Sequence, residues 1–192
     1  KRAVEELRES EARFRAILDD TAVGIAVMTL DRHIVQINQT VTRLTGYTSE
    51  EIAQINPSIM AIEEDRLIDR DLFVELVEGK RNQYLVEKRY IRKDGVTYWA
   101  RLSLSAVRDL EGELLYLVAI TEDIDRQKRT LEELRESEAR FRAMFENSAI
   151  GLVLAGLDGL PRMVNPAIVR MTGYSEQELL QMPGMELSYP ED

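Results

Sequence analysis

Apolar positions along the chain follow a helical period, then a strand period, and then a helical one again. Over residues 1–18, Val4, Leu7, Phe14 and Leu18 fall on one helix face, with Glu9–Arg13 and Glu11–Arg15 as i,i+4 pairs of favourable order. Residues 24–29 and 34–37 are short aliphatic runs on either side of Asp31-Arg32, which predicts a hairpin. Asn38 stands where a helix should begin and Gly46 where it should end. Thr48-Ser49-Glu50-Glu51 reads as a capping box opening a second short helix. Residues 65–78 predict a longer helix, opened by Asp65 and closed by Gly79. The period then drops to two. Residues 84–91, 97–107 and 114–121 predict three strands joined by hairpin links at Lys93-Asp94-Gly95 and Asp109-Leu110-Glu111-Gly112. Five antiparallel strands with helices on one face make an α+β domain.

A helix resumes after the last strand. Ile124, Leu131 and Phe145 share one heptad position, Leu134 and Phe141 the other, and Gln127 and Glu138 interrupt the seam. This pattern suits a homodimeric coiled coil using Leu7, Phe14, Leu131, Leu134, Phe141 and Phe145, or a single helix packed on its own domain. The front of the chain then returns: residues 1–65 and 128–192 align without a gap at an offset of 127, with 27 of 65 positions identical. A period this long marks an array of small domains. The segments are a signalling or capping helix (1–20), a complete domain (21–123), a connector coiled-coil helix (124–147) and the first half of a second copy (148–192). That half supplies two strands and two short helices, marginal by itself. It is expected to be mobile against the connector or completed by another chain.

Composition narrows the function. A formal charge of −10 argues against a nucleic-acid partner, and the plain reading of that charge is solubility. No apolar run is long enough to span a bilayer, so no membrane insertion is expected. The opening inside a charged helical pattern suggests excision from a longer protein and no signal peptide. With no cysteine there is neither disulfide nor thiolate metal site, which suits the cytoplasm. Phosphate-gripping glycine loops, His-Glu-x-x-His and nucleophile elbows are missing, and the one histidine, His33, has no Ser or Cys partner. No catalytic or metal residue is assigned, and the segment is not expected to be an enzyme.

Several signatures now stand in order: Asn38 with Leu44-Thr45-Gly46-Tyr47; Glu64-Asp65-Arg66; Arg92-Lys93-Asp94-Gly95 before Tyr98-Trp99; Val107-Arg108-Asp109 with Gly112; and Asp123-Ile124-Asp125-Arg126-Gln127-Lys128. Together they resemble the PAS family of sensory domains with its PAC half, over the whole first copy and half of the second. The resemblance implies a five-stranded antiparallel sheet enclosing a pocket against three helices. It also places Pro161 in an edge strand, where proline is tolerated. It implies a sensory or relay module of a bacterial-type signalling protein, with a histidine kinase or diguanylate cyclase domain downstream in cis. The signal junction would comprise Asp123, Ile124 and Asp125, with Asp123 paired to a basic hairpin residue such as Lys93. A ligand-free dimerisation spacer is the alternative, and a flavin- or haem-bound redox or gas sensor a lesser one.

The resemblance also bears on cofactors. Light-sensing flavin members of the LOV type carry a reactive cysteine where this chain has Pro57, and flavin-holding amides where it has Tyr90, Ala100 and Thr121. Haem members use a histidine on the long helix, where residues 65–78 have none, and His33 reads as an exposed strand residue. One histidine without cysteine is a poor zinc set. No cofactor is therefore expected, although an unknown small molecule remains possible. Alternation and alignment place Ala26, Met28, Val41, Leu44 and Ile59 on the pocket wall. Phe73, Leu76, Tyr90, Ala100, Leu102 and Thr121 complete it, and these side chains could equally fill the space themselves.

Overall fold

The computed structural model describes Glu5, Leu18 and residues 20–182, in two compact units, Lys1–Lys128 and Arg129–Asp192. In the first unit the strands are β1 (Gly24–Met28), β2 (Ile34–Ile37), β3 (Gln83–Ile91), β4 (Thr97–Arg108) and β5 (Leu114–Asp123). They form one antiparallel sheet in the order β2-β1-β5-β4-β3. Alternation decides its faces. Tyr98, Ala100, Leu102 and Leu104 of β4 are buried, as are Tyr84, Lys88 and Tyr90 of β3, Ala26 and Met28 of β1, and Leu117 and Ala119 of β5. The register stacks these inward residues in rows, such as Val86–Leu102–Thr121 and Lys88–Ala100–Asp123.

Between β2 and β3 the chain covers the inner face with α1 (Gln39–Thr45), α2 (Ser49–Ile52), two 3₁₀ turns (Pro57–Met60 and Glu63–Asp65) and α3 (Arg70–Val77). Asn38 caps α1 by accepting from Val41 N, and Gly46 closes it left-handed at φ 76°. Thr48 and Glu51 complete a reciprocal capping box on α2.

The helix expected over residues 65–78 starts only at Arg70. Asp65 does not cap it: its carboxylate accepts from the Arg89 backbone N at 2.7 Å and from the Arg89 guanidinium at 2.7 and 3.0 Å. Asp69, at the N-cap position, makes no cap bond either. Its Oδ2 accepts from Tyr84 Oη and Lys88 Nζ, each at 2.9 Å. Both acids are drawn to β3, and the first predicted turn tightens into 3₁₀ geometry.

Helix α4 (Asp125–Asn147) follows β5 after one residue. The second unit consists of α4 from Arg129 onward, then β6 (Val153–Ala155), β7 (Pro161–Val164), α5 (Pro166–Thr172) and α6 (Glu176–Gln181). β6 and β7 pair antiparallel, with Pro161 first in its strand. Phe145, Val164, Asn165, Ala167 and Leu179 are buried, whereas Leu154, Met163 and Met171 stay exposed on this two-stranded unit. The expected N-terminal helix, with Leu7 and Phe14, lies outside the described residues.

Candidate functional site: a charged-floor cavity and a strand-to-helix junction

The first unit holds a partly open cavity of about 100 Å³ between the inner sheet face and the covering helices. Of the predicted wall, Ala26, Met28, Val41, Leu44, Phe73, Tyr90, Leu102 and Thr121 do line it. Three others do not. Ile59 is 57% exposed because the 3₁₀ turn points its neighbour Met60 inward instead. Leu76 and Ala100 are fully buried but fill the packed core away from the cavity.

Beyond Tyr90 and Thr121, sequence reasoning missed the polar part of the wall: Arg32, Thr45, Ser58, Asp69, Tyr84 and Lys88. Lys88 and Asp69 form an ion pair at 2.9 Å with side-chain exposures of 7% and 6%. The signal for Lys88 was available, because it shares strand parity with the inward Tyr84 and Tyr90. Burial, reinforced by the Asp69 carboxylate, pushes the Tyr84 phenol well up, so it remains a donor. Burial likewise raises Tyr90 far above the usual phenol range, and Tyr98 up to about 12. Arg32 stacks 3.7 Å from the Phe73 ring centroid and donates from Nη1 to Ser58 Oγ at 2.8 Å. Among the described residues no histidine, cysteine, Asn or Gln lines the cavity. Trp99 lies on the outer sheet face, near Arg89 and Lys128, and His33 is exposed before β2.

At the junction the sheet passes into α4 without slack. Ile124, 1% exposed, donates its backbone N to Trp99 O at 2.9 Å, and Trp99 N donates to Asp125 Oδ1 at 2.9 Å. Asp123 accepts from Asp125 N at 3.0 Å and from Arg92 Nη2 at 2.7 Å. The basic partner is therefore Arg92 and not Lys93, whose ammonium turns to Glu51 at 2.6 Å. Arg92 also lies 4.1 Å over the Tyr98 ring and donates to Leu44 O at the end of α1. One guanidinium thus touches the junction acid, a core ring and a helix whose Leu44 lines the cavity. Outside the sheet, Lys128, Glu87, Arg101 and Glu122 form an ion-pair chain tying the first turn of α4 to β3, β4 and β5.

The heptad seam is shorter than its pattern. Ile124 and Phe145 are spent inside their own units, Phe145 at 5% exposure and stacked on Phe141. Leu131, Leu134 and Phe141 stay exposed at 46, 54 and 43%. Among the described residues no cluster of three His, Asp or Glu side chains could hold a metal, and no helix is long and apolar enough to cross a membrane.

Comparison with known proteins agrees with this geometry. Over 146 residues the chain is 32% identical to a probable diguanylate cyclase, DgcE, of Escherichia coli, covering 76% of this chain and 13% of that one. It is 27% identical over 145 residues to the sensor histidine kinase TmoS of Ectopseudomonas mendocina (76% and 15%), and 28% identical over 195 residues to sporulation kinase E of Bacillus subtilis (94% and 24%). The chain therefore spans less than a quarter of these relatives' lengths. The PAS domain of an HTR-like protein from Haloarcula marismortui superposes with a TM-score of 0.53 at 26% identity, over 64% of this chain and 98% of that one. A PAS domain from Colwellia psychrerythraea gives 0.55 at 19% identity (62% and 98%), a likeness of fold. One PAS domain profile matches residues 22–126 and a second matches 139–191. With sheet order, capping pattern and profile in agreement, the chain belongs to the PAS domain family.

Proposed function

We propose that this chain is a sensory relay segment of a larger cytoplasmic signalling protein, passing a change in its cavity or contacts through α4 to a downstream kinase or cyclase domain. The carrying observation is the unbroken run from β5 into α4, with Asp123 held by Arg92, which also touches α1. A shift of α1 against the sheet changes the geometry of Arg92, and Arg92 holds the base of the helix. Two arrangements separated by about 2 kcal/mol would suffice for a switch. The test is Asp123→Ala in the parent protein. Signal-dependent output should be lost or locked, while the PAS units keep their circular dichroism. Wild-type regulation in that variant refutes the junction role.

The matching DgcE and TmoS segments are parts of a probable cyclase and a sensor kinase. They support an output domain in cis, the PAS units themselves carrying no catalysis. The absence of cysteine agrees with a reducing compartment. We further infer no resident flavin or haem. Ligand pockets typically run from about 300 Å³ upward, and among the described residues this cavity of about 100 Å³ offers neither an axial histidine nor a side-chain amide. Purified protein should show only aromatic absorption near 280 nm; a band in the visible overturns this.

A second reading, dimerisation through α4, is favoured by the exposed Leu131, Leu134 and Phe141 at heptad spacing. It is compatible with the relay, since paired helices are a ready output.

A further inference from the structure

The turn between β1 and β2 occurs again between β6 and β7, and the two copies make it with different chemistry. The same backbone bonds close both: Thr29 N to His33 O and Arg32 N to Thr29 O, against Gly156 N to Leu160 O and Gly159 N to Gly156 O. In both, the closing position is left-handed, with Arg32 at φ 63° and Gly159 at φ 75°. Glycine suits that backbone and arginine is strained in it. The first copy therefore keeps a strained backbone for a side chain that glycine lacks.

That side chain reaches the cavity. Arg32 stacks on Phe73, donates to Ser58 and forms part of the wall. Among the described residues its only ionic company on that wall is Lys88 and Asp69, already paired with one another. Two cations and one carboxylate thus face a space that is otherwise mostly apolar.

We propose that this cavity takes a small aliphatic monocarboxylate, its carboxylate held by Arg32 beside Lys88 and its hydrocarbon part by Met28, Val41 and Leu102. The unbalanced positive charge asks for one anion, and a guanidinium presents the two-pronged donor geometry a carboxylate matches. Inorganic phosphate would leave the apolar wall without a partner. Size limits the tail: an engineered cavity of about 150 Å³ is filled by the six carbons of benzene, so about 100 Å³ admits about four, an acid of two to four carbons. The proposal rests on the cavity being the sensing site of the relay, and its test reads binding without any output.

The experiment is isothermal calorimetry and thermal melting of the 192-residue chain with sodium butyrate, 1-butanol and inorganic phosphate. Butyrate should bind and raise the melting temperature, with butanol and phosphate weaker by about tenfold or more. Arg32→Gly adopts the backbone that Gly159 already uses, so it should stay folded by circular dichroism while losing butyrate affinity by about tenfold or more. Equal binding of butyrate and butanol, no binding of butyrate, or unchanged affinity in Arg32→Gly overturns the proposal. Should binding fail while Asp123→Ala still uncouples the parent protein, the relay stands and the ligand class falls.

Discussion

Two asparagines show how much one side chain can organise. Asn38 Nδ2 donates to Leu18 O, Thr21 Oγ1 and Val23 O, while its Oδ1 accepts from Ile25 N and Val41 N. Asn165 repeats the arrangement one period later, donating to Phe145 O and Ile150 O and accepting from Leu152 N and Ile168 N. A buried amide thus joins the preceding backbone, the first strand and the first helix of each copy. Alanine at position 38 leaves those buried backbone groups unpaired, and the expected cost is about 3 kcal/mol in urea unfolding of the first unit. A loss below about 1 kcal/mol would mean that solvent replaces these bonds freely. The motif was readable as an N-cap, because capping is local. Its reach back to residues 18 and 145 was not, because nothing in the spacing reveals a contact across twenty residues.

Among the elements, those stabilised by near neighbours were legible and those fixed by distant partners were not. The strands predicted at 84–91, 97–107 and 114–121 occur at Gln83–Ile91, Thr97–Arg108 and Leu114–Asp123, since a half-buried strand writes its period directly into its residues. The start of α3 was misread because Asp65 looks like a cap and serves instead as the partner of Arg89. Likewise Arg92 and Lys93 are equivalent in sequence, and only the packing of β3 decides which faces Asp123. The Asp65–Arg89 pair has a measurable consequence. Hydrogen bonding to the Arg89 side chain holds the Asp65 carboxyl below its usual range, against the opposing effect of burial. A depressed folded-state value contributes stability above the unfolded value, near 4, and loses it as pH falls through the folded one. Asp65→Asn should therefore cost about 2 kcal/mol at pH 7, with the gap to wild type closing below about pH 4. A gap that is constant from neutral to acid pH would show that the pair contributes nothing ionic.

For the whole molecule, the repeat yields two units of unequal completeness. The first closes its core with five strands, and the second exposes Leu154, Met163 and Met171 on two. Among the described residues Leu131, Leu134 and Phe141 on α4 add further exposed apolar side chains, the kind of surface that a partner covers. Sedimentation equilibrium should show a reversible dimer, and Leu134→Glu should be monomeric with unchanged circular dichroism. A monomeric wild-type chain, or a variant that still dimerises, would remove the α4 seam from the account.

The cavity helix α3 is fastened at both ends. Asp69 binds it to β3 at the start, and Arg108 of β4 donates to Leu76 O and Val77 O at the finish. The opposite wall has no such clasp. Among the described residues, positions 54–60 bond locally except where Arg32 reaches Ser58. Motion of the chamber wall is then expected in that segment, which Met60 still anchors in the core, and a guest that captures Arg32 would release its tie to Ser58. Amide resonances of Ser58, Ile59 and Met60 are where an NMR titration will first register a visitor.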